Sequence, residues 1–376
     1  MTEDNANREI GFWRGWSIAV GCAIGSGVFM MPTLLAPYGL LGLGGWLVAG
    51  AGTLLVALSL SRLVKRVPKI GGPYAYVNAG LGNLAGFLVA WTYWISCIAA
   101  VSGIAIAFVG YLGVFIPAIT NSSVLSLLVS LALVWSVIGM NIRSIESSGA
   151  FQVVTTALKI LPLFFIIVIG FSNMQPDILP PVNPTDLHPF AVLATVTTLV
   201  MWSFIGIETA TVPADNIYQP DKTIPKILIA SLLTVLVIYF LVSLAIALVV
   251  PADELIGSSA PFALAATKIM GPVGGAIITV GALISTLGSL NANTLTAGQV
   301  PLAAAKDHLL PKKFLTLSRT GTPIFSFVVS GGFMTLLLVL NYTKGLVAAF
   351  TFMAMLSTLS TLTAYAFCAV SEFYFL

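Results

Sequence analysis

Ten long apolar runs constrain the fold of this chain more than any motif does. Hydropathy predicts membrane spans at residues 12–36, 40–64, 84–117, 124–141, 150–172, 190–212, 227–250, 272–297, 324–341 and 346–371. Hydrophobic residues make up 58% of the chain and charged residues only 8%, which excludes a soluble globular domain. We therefore predict an all-α polytopic membrane protein embedded in a lipid bilayer.

The basic residues are sorted by loop, and this sorting predicts the orientation. Thirteen of the 16 lysines and arginines lie at or before the start of the first span, or at or after the ends of even-numbered spans. Positive charge marks the cytoplasmic side, so we expect a cytoplasmic N-terminus. A net charge of +3 spread over several loops gives no reason to expect a nucleic-acid partner. The three cysteines and two histidines have no metal-ligand spacing, so we expect neither a metal nor a cofactor.

The sequence of the first span predicts a break in its helix. The small residues Gly25, Ser26 and Gly27 lie in mid-span and favour unwinding, which frees backbone amides where no water can satisfy them. The half-helix that restarts there would direct its positive end at an anion such as a substrate carboxylate. The alternative is that these small residues only let two helices pack closely.

A second interruption falls in span 6, where Gly206 and Glu208 lie deep in an apolar run. A proline-rich loop at residues 173–189 separates spans 1–5 from spans 6–10, so the two interrupted helices come first in each half. This arrangement is typical of transporters built as inverted repeats with a substrate site at the membrane midplane. We expect one transmembrane domain, with repeat one at about 12–172 and repeat two at about 190–371.

Two ionisable side chains lie inside spans and are candidates for proton coupling. Lys159 in span 5 is too deep to reach the interface easily, and it would either titrate during transport, replace a bound cation, or tie unwound backbone permanently. Glu208 would either sense protons or cap freed amides. Near them, Trp202 is large enough to close over a ligand, and Asn293 and Ser357 are polar groups at depth that also serve helix packing.

Five segments resemble the amino acid-polyamine-organocation transporters, especially the basic amino acid/polyamine antiporters of the arginine/agmatine exchanger type. The matching segments are GCAIGSGVFMMP, KIGGPYAYV, YWISC, MWSFIGIETA and AGQVPLAAAKDHLLPKKF. The resemblance implies a LeuT-like fold of two inverted five-helix repeats with broken helices 1 and 6, working by alternating access. It also implies a bacterial or archaeal cell (inner) membrane protein.

The resemblance also implies a set of site residues. Those expected to line the substrate site are Ala23, Gly25, Ser26, Gly27, Ser96, Cys97, Val101, Trp202, Ile205, Asn293 and Ser357. Tyr93, Glu208 and Tyr365 correspond to the inner gate. Val101 and Asn293 stand where the arginine exchanger has an asparagine and a tryptophan, which leaves the charge of the substrate open. Lys159 resembles a span 5 lysine of proton-coupled permeases in the same superfamily.

These patterns predict an amino acid or amine transporter, most simply an antiporter of basic amino acids and polyamines. Proton-coupled uptake of neutral amino acids through Lys159 is the alternative, and a non-transporting amino acid sensor is a candidate from another class. An enzyme is not expected, because no nucleophile, base and orienting group are suitably spaced. Relatives usually have two further helices that contribute to dimer contacts, so a homodimer stays open, as does truncation of the chain.

Overall fold

The computed structural model describes residues 11–66, 72–143, 149–206, 217–318 and 321–375, which are almost wholly helical. Its α-helices are α1 (Phe12–Ala23), α2 (Ser26–Leu35), α3 (Gly39–Arg66), α4 (Pro73–Leu112), α5 (Pro117–Thr120), α6 (Ser123–Arg143), α7 (Gly149–Ser172), α8 (Pro189–Met201), α9 (Pro220–Ala247), α10 (Ala252–Leu255), α11 (Pro261–Lys306), α12 (Ile324–Asn341) and α13 (Leu346–Phe375). The predicted all-α fold is confirmed.

Many of these helices are long and apolar enough to cross a bilayer. Within the described ranges, seven helical stretches meet that requirement, and two shorter apolar helices lie at Lys159–Ser172 and Pro189–Phe204. The chain is therefore a multi-pass membrane protein. The count of ten spans stays a prediction.

The first predicted span is broken where the sequence places its small residues. α1 ends at Ala23, Gly25 has extended backbone angles (φ −142°, ψ −150°), and α2 begins at Ser26. A similar interruption follows α8, where a 3₁₀ turn at Trp202–Phe204 leads into the extended residue Ile205. Residues 207–216, which include Glu208, lie outside the described residues.

Two helices begin earlier than predicted. α4 begins at Pro73 rather than at 84, and α11 begins at Pro261 rather than at 272. Each bends at a glycine that hydropathy placed just outside the span, Gly82 (φ 82°, ψ −176°) in α4 and Gly271 (φ 70°, ψ −168°) in α11. Because positive φ strains any residue with a side chain, glycine suits both bends.

Long helices surround the broken span. α4 packs along α13 and α11, α3 packs against α8 and α9, and α1 lies between α7 and α9. The break between α1 and α2 is buried at the centre of this arrangement, with Ala23, Ile24 and Ser26 each at most 5% exposed. Polar backbone at such depth must be satisfied by protein groups or by a ligand.

Candidate functional site

A cleft lies at the meeting point of the two interrupted helices. Its lining comes from the α1–α2 break, the 3₁₀ turn after α8, and the middles of α4, α11 and α13. The lining residues are Ala23, Gly25, Ser26, Gly27, Ala100, Ile104, Trp202, Ser203, Ile205, Ser289, Asn293 and Ser357. None of these described lining residues carries a charged side chain.

The carbonyl end of α1 is satisfied by side chains from three other helices. Tyr239 of α9 donates to the Ala23 carbonyl at 2.8 Å, and Ser289 of α11 donates to the Ile24 carbonyl at 3.3 Å. Lys159 of α7 donates from Nζ to the Gly21 carbonyl at 2.9 Å. The last turn of a helix leaves carbonyls without intrahelical partners, so these contacts stabilise the end of α1.

The amide end of α2 has no comparable partners. Gly25 is the N-cap and makes no side-chain capping bond. Among the described residues, neither the Ser26 amide nor the Gly27 amide donates a hydrogen bond to a group outside α2. The hydroxyl of Ser26 is also buried without a described partner. Amides at a helix N-terminus carry partial positive charge, so this end of the break suits an anion.

Lys159 lies beside the break rather than in the cleft. Its side chain is 2% exposed and packs against Gly288. Besides the Gly21 carbonyl, Nζ contacts Ser289 Oγ at 3.4 Å, and Ser289 lines the cleft. The lysine therefore connects α7, α1 and α11.

Trp202 covers one side of the cleft. Its indole packs edge-on against Phe350 of α13, with ring centroids 5.8 Å apart. It also lies against the backbone of two helices at glycines: a Cβ on Gly27 would be 2.9 Å from Trp202 Cδ1, and one on Gly103 would be 3.4 Å from Cη2. The absence of side chains at Gly27 and Gly103 gives the indole its room.

The α4 wall differs from the prediction in register. Ala100 and Ile104, one turn apart, line the cleft, whereas Val101 is fully buried and does not. Neighbouring helical residues point about 100° apart, so a shift of one position moves a side chain off the lining face. Cys97 lies three residues before Ala100 and is 6% exposed, but it is not among the lining residues.

Ser96 supports the wall from behind. It does not line the cleft, but its hydroxyl lies 2.9 Å from that of Ser357, which does. A second contact joins Ser96 to Thr361 Oγ1 at 2.5 Å. Ser96 thus joins α4 to α13 and orients Ser357.

On α11, Ser289 and Asn293 form one polar stripe. They are four residues apart and therefore share a helix face. Asn293 Nδ2 donates to the Ser289 carbonyl at 2.9 Å, which leaves Oδ1 as the acceptor that faces away. Two polar lining residues, Ser289 and Ser203, were not predicted from the sequence. Helical spacing from Asn293 indicates Ser289, and adjacency to Trp202 indicates Ser203.

Two of the three predicted gate residues, Tyr93 and Tyr365, are not among the residues that line the cleft. Tyr93 of α4 is half-buried, Tyr365 of α13 is 7% exposed, and their helices pack along each other. Glu208, the third predicted member, is outside the described residues.

Two further side-chain contacts join helices near the basic loops. Tyr74 donates to Asp307 Oδ2 at 2.5 Å, and Arg62 pairs with Glu372. These contacts join α4 to the end of α11 and α3 to the end of α13.

Comparison with known proteins gives a family model and relatives that match most of this chain. A family model described as amino acid permease matches residues 10–375. The arginine/ornithine antiporter of Latilactobacillus sakei is 29% identical over 382 residues, covering 99% of this chain and 78% of that protein. The arginine/ornithine antiporter of Pseudomonas aeruginosa is 31% identical over 306 residues, covering 79% and 63%. The putrescine transporter PotE of Escherichia coli K12 is 28% identical over 302 residues, covering 80% and 69%.

Proposed function

Because this chain belongs to the amino acid permease family, we propose that it exchanges basic amino acids and their decarboxylated amines across the membrane by alternating access. It is a transporter and not an enzyme. The names of its relatives, two arginine/ornithine antiporters and a putrescine transporter, support this substrate class.

The observation that carries the proposal is the asymmetric break in the first span. Its carbonyl end is occupied by Tyr239 and Ser289, whereas the Ser26 and Gly27 amides are open to the cleft. An amino acid carboxylate would bind these amides, and its α-ammonium would bind the backbone carbonyls near Ser203 and Ile205. The Ala23 carbonyl already accepts from Tyr239 and keeps one lone pair for the substrate.

The far end of the substrate would lie between α4, α11 and α13. Asn293 Oδ1 and the Ser357 hydroxyl can accept hydrogen bonds from an ammonium or guanidinium group. The indole of Trp202 offers an aromatic face to a cation. These groups suit a substrate whose side chain carries positive charge.

Two inverted repeats, at about 12–172 and 190–371, would give alternating access its geometry. The paired bends of α4 and α11 support this, since the third predicted span of each half is preceded by a short helical segment that turns at a left-handed glycine. Gly82 and Gly271 differ by only 12° in φ and 8° in ψ. Matching interruptions in α1–α2 and after α8 add to the symmetry.

We further propose that the N-terminus is cytoplasmic and that the host membrane is the inner membrane of a bacterium or archaeon. The distribution of lysine and arginine supports the orientation. In that orientation Trp202 closes the outer side of the cleft, and the Tyr93 and Tyr365 pair closes the inner side.

Proteoliposomes test the exchange directly. Purified protein is reconstituted into vesicles preloaded with buffer, arginine, ornithine, putrescine or alanine, and radiolabelled ornithine uptake is measured with the membrane potential clamped. We expect uptake only against an internal basic amino acid or amine, with or without an inward proton gradient. Gradient-driven uptake into buffer-loaded vesicles would overturn obligatory exchange and make Lys159 the coupling residue.

Membrane potential provides a second readout. Exchange of ornithine for arginine moves no net charge, whereas exchange of ornithine for doubly charged putrescine moves one charge. We expect the rate of ornithine–arginine exchange to be independent of an imposed membrane potential, and the rate of ornithine–putrescine exchange to depend on it. A potential-sensitive ornithine–arginine exchange would contradict one-for-one antiport.

A further inference from the structure

An apolar crevice lies on the outside of the bundle, between α4 and the end of α11 that carries basic residues. α4 contributes Phe87, Trp91 and Trp94 to it, α11 contributes Val300, and the segment after α11 contributes Leu310. None of its described lining residues is charged or shared with the cleft. Trp91 is 38% exposed within a helix that crosses the membrane, so the crevice opens toward lipid.

The inner wall of the crevice is held in place by hydrogen bonds. Pro301 has no amide hydrogen, so the Ala297 carbonyl one turn earlier loses its helical donor. Ser330 of α12 donates to that carbonyl at 3.0 Å, and the Trp94 indole donates to Ser330 Oγ at 2.9 Å. Trp91 packs edge-on against Trp94, with ring centroids 5.5 Å apart. An aromatic surface fixed in this way can receive an acyl chain without reorganising.

The exposed indole of Trp91 has no hydrogen-bond partner among the described residues. Trp135 of α6 is exposed to a similar extent, 40%, yet its indole donates to Thr335 Oγ1 at 3.1 Å. Indoles near a membrane interface place the ring among acyl chains and direct the N–H at a polar acceptor. The ester carbonyls of a phospholipid are such acceptors.

Positive charge lies at the rim of the crevice, beside Leu310. Lys312 and Lys313 follow this residue and are exposed. Phe314 comes next and packs edge-on against an indole of the crevice wall, with ring centroids 5.8 Å apart, so the segment is anchored on both sides of the two lysines. Residues 306–313 contain three lysines and one carboxylate. This charge selects an anionic headgroup over a zwitterionic one.

We propose that the crevice binds one anionic phospholipid from the leaflet on the side of the basic loops. An acyl chain lies along the aromatic wall, an ester carbonyl accepts from the Trp91 N–H, and Lys312 and Lys313 bind the negative headgroup. The site lies outside the cleft and is independent of the proposed exchange. Its occupant would bridge α4 and α11, whose middles line the cleft.

Native mass spectrometry tests the site on detergent-solubilised protein titrated with phosphatidylglycerol or phosphatidylcholine of matched acyl chains. Each lysine near an anionic headgroup contributes about fivefold in affinity, so we expect wild-type protein to prefer the first phosphatidylglycerol by about 25-fold. The double variant Lys312→Gln/Lys313→Gln should bind both lipids equally. Trp91→Phe keeps the aromatic ring and should weaken both lipids by about threefold, because both have ester carbonyls.

Two control variants match these substitutions. Lys222→Gln/Lys226→Gln removes the same charge from exposed lysines at the start of α9, and Trp135→Phe removes the N–H of another exposed indole. Neither should change phosphatidylglycerol binding. Equal affinity of wild-type protein for the two lipids, or crevice variants that behave like their controls, would overturn the proposal. A lipid-free dimer would also overturn it, because a second copy of the chain would then cover the crevice.

Discussion

The two ends of the break in the first span face the same cleft but differ in whether their backbone groups have hydrogen-bond partners. At the end of α1, side chains from three other helices donate hydrogen bonds to backbone carbonyls. Lys159 donates to Gly21, Tyr239 to Ala23 and Ser289 to Ile24. At the start of α2, the described residues leave the amides and the Ser26 hydroxyl without acceptors. The same local sequence feature thus creates one closed end and one open end.

This difference separates stability from binding. The donors at the closed end come from α7, α9 and α11, so that end fixes the position of α1 within the bundle. The open end keeps buried donors without partners among the described residues, which is costly unless a ligand or water accepts from them. Substitutions at the two ends should therefore change different measurements.

The largest effect is expected from Gly27→Ala at the open end. The new Cβ would lie 2.9 Å from Trp202 Cδ1 and 3.0 Å from Ser203 Cα, and the latter is backbone that cannot swing away. Overpacking of this kind costs about 1–3 kcal/mol, so we expect ornithine exchange to fall up to about 100-fold.

Gly332→Ala is the control for this prediction, because nothing lies within 4 Å of a Cβ at that position in α12. It should exchange at the wild-type rate. Normal exchange by Gly27→Ala would mean that Trp202 and the turn after it do not hold their position against α2.

An intermediate effect is expected from Lys159→Gln, which removes the charge at the closed end but keeps a donor for the Gly21 carbonyl. Ser289 Oγ lies 3.4 Å from Lys159 Nζ and 2.8 Å from the Cβ position of Gly25. A cation within about 10 Å of a carboxylate contributes about 1–2 kcal/mol at an effective dielectric constant of 20. We expect ornithine affinity to fall about 10-fold and putrescine affinity to rise or stay constant.

Exchange assays against internal arginine measure both affinities. A loss of ornithine and putrescine affinity in equal measure would show that the lysine acts through structure alone. Retained exchange in Lys159→Gln with no pH dependence would separate the charge of Lys159 from any proton transfer.

The smallest effect is expected from Tyr239→Phe, which deletes one donor at the closed end. Loss of a buried hydrogen bond to the Ala23 carbonyl should lower stability by about 1 kcal/mol. Thermal unfolding in detergent measures this loss, and ornithine affinity should change by less than about twofold. Tyr342→Phe removes a similar buried bond to Ser130, 2.6 Å long and remote from the cleft, and should behave alike. A tenfold loss of ornithine affinity in Tyr239→Phe alone would contradict the division between the two ends.

Much of the fold is readable from the sequence, because lipid imposes simple rules. Apolar runs must be helices there, and Gly25, Ser26 and Gly27 in mid-span predict the break that the structure has. The starts of α4 and α11 were not predictable by hydropathy, since their first segments continue the helix across Gly82 and Gly271 with a change of direction. That continuation depends on the backbone angles at the two glycines, and a hydropathy average contains no information about backbone angles.

The site was predictable where it depends on backbone and less so where it depends on helix rotation. Eight of the eleven expected lining residues do line the cleft. Val101 lies one residue after the lining residue Ala100, and one residue is enough to turn a side chain away from a helix face, so a role for Val101 in binding stays a prediction. Ser203 and Ser289 were missed although adjacency to Trp202 and helical spacing from Asn293 indicate them, because the hydrogen-bond partner of a buried serine, or its lack of one, appears only in three dimensions.

The closed end of the break also sets an order of events during synthesis. The donor for the Gly21 carbonyl is 138 residues later in the chain, that for Ala23 is 216 later and that for Ile24 is 265 later. At about 5–20 residues per second, the nascent first span waits on the order of tens of seconds for its last donor. Until α11 enters the membrane, the unwound segment depends on the insertion machinery or on water for its hydrogen bonds, so the first span to be made is completed late in synthesis.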